Sequence, residues 1–88
     1  MKRMELEDVF SSKLRMKILR LIFELGSLNV SDIARRLNTN FTSSAEHLKL
    51  LAAEDILEER LYGRVRMYRF KEGSAKAQAV QKLIEAWQ

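Results

Sequence analysis

LNVSDIARRLNTNFTSSAEHLKLLAAEDILEERLYGRVRMYRF, residues 28–70, is the stretch whose reading decides the fold. It breaks at Asn38-Thr39-Asn40 and turns again at Tyr62-Gly63-Arg64. Before the first break, Ile33, Ala34 and Leu37 recur at helical spacing, while Ser31, Arg35 and Arg36 fall on the other side. Asn29 stands where an N-cap belongs, Asp32 is its N3 partner, and Leu28 and Ile33 are spaced as a hydrophobic staple. Asparagine tolerates left-handed backbone, so Asn38 can end this helix and either Thr39 or Asn40 can cap the next.

The next helix is expected from about 41 to 54. Leu48 and Leu51 face inward, but the first turn fits two stripes: Phe41, Ala45, Leu48 and Ala52, or Ser44, Leu48 and Leu51. The second is the expectation, with Ala45 at its edge and Thr42, Ser43, Glu46 and Lys49 exposed. Residues 56–62 and 64–70 then alternate in the manner of strands around Gly63. Tyr68 and Phe70 share a face that packs back onto the helices, and Val65 and Met67 take the other. Two short helices followed by a basic hairpin give a mainly α chain with a small β-hairpin, the pattern of a winged helix-turn-helix.

Outward from this stretch, Leu6, Val9 and Phe10 form a short apolar stripe, and Ser11-Ser12 can cap a helix over 13–25. That helix buries Leu14, Ile18, Leu21, Ile22 and Leu25, turns Lys13, Arg15, Lys17 and Arg20 outward, and ends at Gly26 as a left-handed cap. Ser74 can cap a last helix whose stripe is Ala77, Val80, Leu83, Ile84 and Trp87. The fold is complete without it, so the expectation is one domain over 1–88, with core and wing in 11–70 and an added C-terminal dimerisation helix. Residues 1–10 and 74–88 are the expected dimerisation segments, with Leu6, Val9, Phe10, Val80, Leu83, Ile84 and Trp87 at the interface. The alternative is that the end helix folds onto its own domain.

Composition limits the function. With 88 residues and 47% hydrophobic side chains the chain supports one small core, and the absence of proline agrees with a helical fold. Net charge is +4 and the pI is near 9.7, which fits a polyanionic partner. The cations concentrate at Arg60, Arg64, Arg66, Arg69 and Lys71, whereas residues 40–55 set Lys49 against Glu46, Glu54 and Asp55. There is no cysteine, hence no disulfide, thiolate metal site or cysteine nucleophile. No apolar run approaches the ~20 residues that cross a bilayer, and Met1-Lys2-Arg3-Met4-Glu5 lacks the apolar core of a secretion signal. A soluble, cytoplasmic protein is expected. His47, the single histidine, reads as a half-buried packing residue. No carboxylate pair or phosphate-cradling glycine loop is present, so no catalysis, metal or cofactor is expected.

Ser11-Ser12-Lys13-Leu14-Arg15-Met16-Lys17-Ile18-Leu19 resembles the opening helix of the ArsR-like winged-helix regulators common in archaea. Residues 46–59, Glu46-His47-Leu48-Lys49-Leu50-Leu51 through Ile56-Leu57-Glu58-Glu59, are similar to that family's "HL..L...GLV.." signature, and Tyr62-Gly63-Arg64-Val65-Arg66-Met67-Tyr68-Arg69 resembles its wing. The likeness covers roughly residues 11–70. It implies a homodimer on operator DNA, with the terminal helices forming the dimer interface. Asp55 replaces the usual glycine before the first wing strand, and Ser44 and Thr39 stand where aliphatic residues are usual. The cysteines, or aspartate and histidine pairs, of the metal-sensing branch are missing, so metal sensing is not carried over.

On this reading Asn40, Thr42, Ser43, Glu46 and Lys49 are the recognition-helix contacts to double-stranded DNA. The blander role of Asn40, Thr42 and Ser43 is to satisfy free amides of the first turn. Phe41 could touch a thymine methyl, although an aromatic here is more often core. Arg60, Arg64, Arg66 and Arg69 are the wing contacts to phosphate or minor groove, against the alternative of an edge hairpin kept soluble by charge. Arg35 and Arg36 are phosphate contacts or a solvated face. The expected function is sequence-specific DNA binding as a homodimeric transcriptional regulator. A protein-interaction module and a sequence-tolerant architectural DNA-binding protein are the alternatives.

Overall fold

The structure, a computed structural model, describes residues 4–88, so the first three positions of the expected 1–10 segment lie outside the described residues. The elements run α1 (Leu6–Ser11), α2 (Lys13–Leu25), β1 (Leu28–Asn29), α3 (Val30–Arg36), α4 (Phe41–Ala53), β2 (Leu57–Tyr62), β3 (Val65–Phe70) and α5 (Ala75–Ala86). Polar caps set four of the helix starts. Ser12 accepts from the Arg15 amide at 3.1 Å, Asn29 from Asp32 at 2.8 Å, Asn40 from Ser43 at 2.7 Å, and Ser74 from Ala77 at 3.1 Å. The Asp32 carboxylate pairs with Arg35 at 2.9 Å.

The helix ends follow left-handed turns. Gly26 takes φ 93 and donates to Ile22 O at 2.7 Å. Asn38 takes φ 52, and the next amide, Thr39, reaches back to Ala34 O at 2.9 Å. Asp55 takes φ 63, and Ile56 N donates to Leu51 O at 3.1 Å. Each of the last two joins the residue after the turn to a carbonyl five positions earlier, which satisfies an otherwise orphaned acceptor. Asp55 thus adopts the left-handed conformation for which glycine is the usual choice, and α4 ends as a glycine cap would end it.

The sheet is larger than the hairpin read from sequence. β1 is a third strand, antiparallel to β3 in the order β1-β3-β2, with Leu28 opposite Tyr68 and Asn29 opposite Met67. Two residues are too few to show alternation, which is why the sequence hides this strand. An N-cap needs extended backbone, and Asn29 at φ −91, ψ 168 has it, so the same geometry serves cap and sheet edge.

The core gathers Ile18, Leu19 and Ile22 of α2, Ile33 of α3, Leu48 and Leu51 of α4, and Leu57 and Tyr68 of the sheet. Ser44, Leu48 and Leu51 are the buried positions of α4, with Ala45 half-buried beside them. On α2 the buried arc shifts from the expected one: Leu19 is fully buried while Leu25 is 48% exposed. The helix touches α1, α5 and β3, which widens its covered face, and Leu25 lies in its last turn. On α5, Ala77, Val80 and Ile84 fold onto the domain itself, whereas Leu83 and Trp87 remain exposed.

Two polar groups sit in this interior. The Glu54 carboxylate, buried at the end of α4, accepts from the Met4 amide and from Lys76 Nζ, each at 3.0 Å, so it ties the start of the chain and α5 to α4. The Ser44 hydroxyl is fully buried and has no hydrogen-bond partner among the described residues. A buried hydroxyl without a partner keeps its desolvation cost. Ser44→Ala is therefore expected to raise unfolding stability by about 1 kcal/mol, measured as a later urea midpoint at unchanged slope.

Candidate nucleic-acid interface

The open side of α4 begins at its cap. Asn40 is exposed but its Oδ1 is committed to the Ser43 amide, so the blander role expected for this side chain operates. Thr42, Glu46 and Lys49 are exposed; Ser43, expected to be exposed, is half-buried at the margin. Phe41, left out of the favoured stripe and open between core and a thymine contact, has 57% of its surface exposed. Its ring lines a cleft of about 370 Å³ shared with Val30 and Ser31 at the start of α3 and with Arg64, Val65 and Arg66 of the wing. Leu50 is also exposed on α4.

The wing holds its cations in ion pairs. Antiparallel register sets Glu58 opposite Arg69 and Glu59 opposite Tyr68. Glu58 lies 2.9 Å from Arg69 and 3.4 Å from Arg60, and Arg69 also reaches Glu72 at 3.4 Å. Arg66 is 3.9 Å from Glu59, and Lys71 is 2.7 Å from Asp55. Among the described residues, Arg64 at the tip is the wing cation with no ion pair. The sequence counted five cations here and placed the acids at the base; cross-strand pairing brings acids and cations together. The more exposed of these, Arg66–Glu59 and Lys71–Asp55, contribute only about 0–1 kcal/mol, so an incoming anion can compete for them, whereas Glu58 and Arg69 are half-buried. On α3, Arg35 is bound to Asp32 at 2.9 Å, while Arg36 is exposed with no ion pair among the described residues.

Behind α4, Arg15 donates to His47 Nδ1 at 3.3 Å and also to the Asp8 carbonyl, linking α1, α2 and α4. Burial, and then the Arg15 charge, hold the His47 pKa below 6.5 against the opposing pull of Glu46. The imidazole is neutral at pH 7 and accepts a hydrogen bond, the half-buried packing role read from sequence.

At the far side, Leu6 and Trp87 are 71% and 79% exposed, and Phe10 and Leu83 are 38% and 39% exposed. Leu6, Phe10 and Leu83 border an apolar groove of about 360 Å³ between α1 and α5. Val9, Val80 and Ile84, grouped with them from sequence, are buried in the domain's own core. A buried stripe and its exposed margin share one helical period, so spacing alone cannot separate them.

No protein-family model matches the chain, and no curated protein does. Its backbone is similar to that of the AntR antimony-specific transcriptional repressor, at 22% identity over 92% of this chain and 68% of that one, with a TM-score of 0.78. It is similar to the repressor PagR of Bacillus anthracis, at 18% identity over 93% and 87%, with a TM-score of 0.77. It also resembles a homodimeric winged helix-turn-helix DNA-binding domain from Mycobacterium bovis, a possible ArsR-family transcriptional regulator, at 24% identity over 93% and 70%, TM-score 0.73. The fold is a winged helix-turn-helix. Helices α3 and α4 are its helix-turn-helix and β2–β3 its wing, which places Phe41 and Arg64 across one cleft between the two. No described helix is long and apolar enough to cross a membrane.

The wing is fastened to the core by Tyr68, whose hydroxyl donates to Glu59 Oε2 at 2.5 Å. Burial first, and then the bond to Glu59 and its charge, push the Tyr68 pKa from 10.0 up to about 12. A pKa raised on folding adds stability that is full below pH 10 and is lost as pH rises through about 12. Wild-type protein should lose stability across that window more steeply than Tyr68→Phe, in denaturant melts taken at intervals from pH 9 to 12.

Proposed function

We propose that the chain is a homodimeric transcriptional regulator of the ArsR-like, archaeal type that binds double-stranded DNA in the cytoplasm. The observation that carries this reading is the shared cleft: the first turn of α4 and the unpaired Arg64 at the wing tip face one space. Helix α4 enters the major groove with Thr42, Glu46 and Lys49 outward. Asn40 and Ser43 lie at its cap, where the helix start favours phosphate. The wing reaches phosphate or minor groove through Arg64, with Arg60, Arg66 and Arg69 exchanging carboxylates for phosphates. Arg36, and Arg35 once released from Asp32, add phosphate contacts. The likeness to repressors supports the reading at the level of the fold.

Arg64→Ala should weaken binding to all duplexes and flatten the log–log salt dependence by about one per arginine, so about two per dimer. An anisotropy titration across salt concentrations reads this directly, and an unchanged slope would remove the wing tip from the interface.

In the dimer, the exposed Leu6, Phe10, Leu83 and Trp87 cover one another across a two-fold axis, with Val9, Val80 and Ile84 as the layer beneath. The axis spaces two α4 helices by about 34 Å, onto successive major grooves. Replacing Leu83 with Asp sets an uncompensated carboxylate in that contact, and sedimentation equilibrium should show a shift from dimer to monomer.

The ion-paired wing and the near-neutral α4 face favour one second reading, a winged helix used to bind protein. Absence of binding to random duplex at low salt and tens of micromolar protein would select it, because non-specific DNA binders reach roughly that range.

A further inference from the structure

We infer that Phe41 is a specificity-determining residue that reads the C5-methyl group of a thymine in the major groove; this rests on the duplex-binding reading above.

The polar side chains of α4 offer a base edge little. Asn40 has its amide oxygen in the cap, at 2.7 Å from the Ser43 nitrogen, and Ser43 is half-buried. The helix carries no arginine, asparagine or glutamine, and Lys49 is the one residue on it of the kinds that grip guanine or adenine with two hydrogen bonds. Thr42 and Glu46 add polar contacts. Base discrimination by hydrogen bonding is therefore thin on this helix.

Phe41 supplies what the polar residues lack. It is the first residue of α4, and helical side chains tilt toward the N-terminus, so its ring leads the helix end. In a helix-turn-helix the N-terminal residues of the second helix are the ones that meet base edges. Despite its size the ring is 57% exposed; neither α3 nor the wing closes over it. Its cleft neighbours are Asn29, Val30 and Ser31 at the start of α3 and Arg64, Arg66 and Val65 of the wing, the last itself 45% exposed. The apolar surface there is thus flanked by cations that suit the phosphates on either side of a base. The apolar groove between α1 and α5 is built from different residues, so self-association there leaves Phe41 uncovered. Among the major-groove edges of the four bases, the apolar feature is the thymine methyl.

The experiment selects duplexes from a random pool with the wild-type protein. The enriched site is then resynthesised with uracil in place of each thymine in turn, which removes only the methyl group. Anisotropy titrations compare wild type, Phe41→Ala and Phe41→Leu. The expected result is one thymine per half-site whose replacement weakens wild-type binding about fourfold, the worth of one buried methyl. Phe41→Ala should bind thymine and uracil duplexes alike, and Phe41→Leu should keep part of the preference. Both side chains sit at an exposed position, and matching melting curves verify the fold. If Phe41→Ala keeps the wild-type thymine preference, or no thymine is enriched, this inference is overturned while duplex binding stands. If the wild type binds no duplex, the DNA-binding reading falls and takes this inference with it.

Discussion

The backbone of Leu28 and Asn29 serves two elements at once, and the arrangement of the functional surface depends on it. Extended geometry at these residues lets Asn29 cap α3 and lets both residues pair with Tyr68 and Met67 of β3. One short ladder therefore joins the start of the helix-turn-helix to the wing. Tyr68 sits at the joint, opposite Leu28 on one side and Glu59 on the other, with its ring in the core and its hydroxyl on the Glu59 carboxylate. Without this pairing the hairpin would be a two-stranded ribbon held to the helices by the packing of its base, through Leu57 and Tyr68. With it, the wing tip is held beside the first turn of α4, and the cleft containing Phe41 exists.

A second constraint is electrostatic. The hairpin is rich in arginine, yet its register opposes acids and bases, so its field is weaker than its cation count implies. Such an arrangement keeps an exposed edge soluble and leaves one unpaired guanidinium at the tip. Affinity for a polyanion then comes from exchange of partners as much as from free charge, and exchange among exposed pairs costs little. The buried Glu54 works differently. It holds Met4 and Lys76 from opposite ends of the chain, so the α1 and α5 segments share an anchor at the end of α4. Two segments fixed to one point present their apolar margins as one surface.

How much was legible differs from residue to residue. Asn29, Asn40, Ser12 and Ser74 were readable as caps, because a cap is a local bargain between one side chain and an amide three residues on. Ser44, Leu48 and Leu51 were readable as the inner stripe of α4, since periodicity reports which residues share a face. Phe41 stays open in the sequence: hydrophobicity argues for burial, but a first-turn position depends on what stands in front of the helix, and that is the wing. Asp55 stands where the resembling family has glycine, and an Asp can hold the left-handed backbone and close the same turn. Likewise Val9, Val80 and Ile84 could not be told from Leu6, Leu83 and Trp87 by spacing.

Local chemistry in the chain by itself determined the order of α2 to α5 and the two wing strands, the turn residues, and the capping that starts α2, α3, α4 and α5. These depend on neighbours within a few positions, and the side chains that make them are all present in the segment. Tertiary structure alone decided the third strand, the pairing of wing arginines with carboxylates, and the exposure of Phe41. Each is a meeting of residues distant along the chain, such as Leu28 with Tyr68 or Phe41 with Val65, and no local pattern encodes the distance between them.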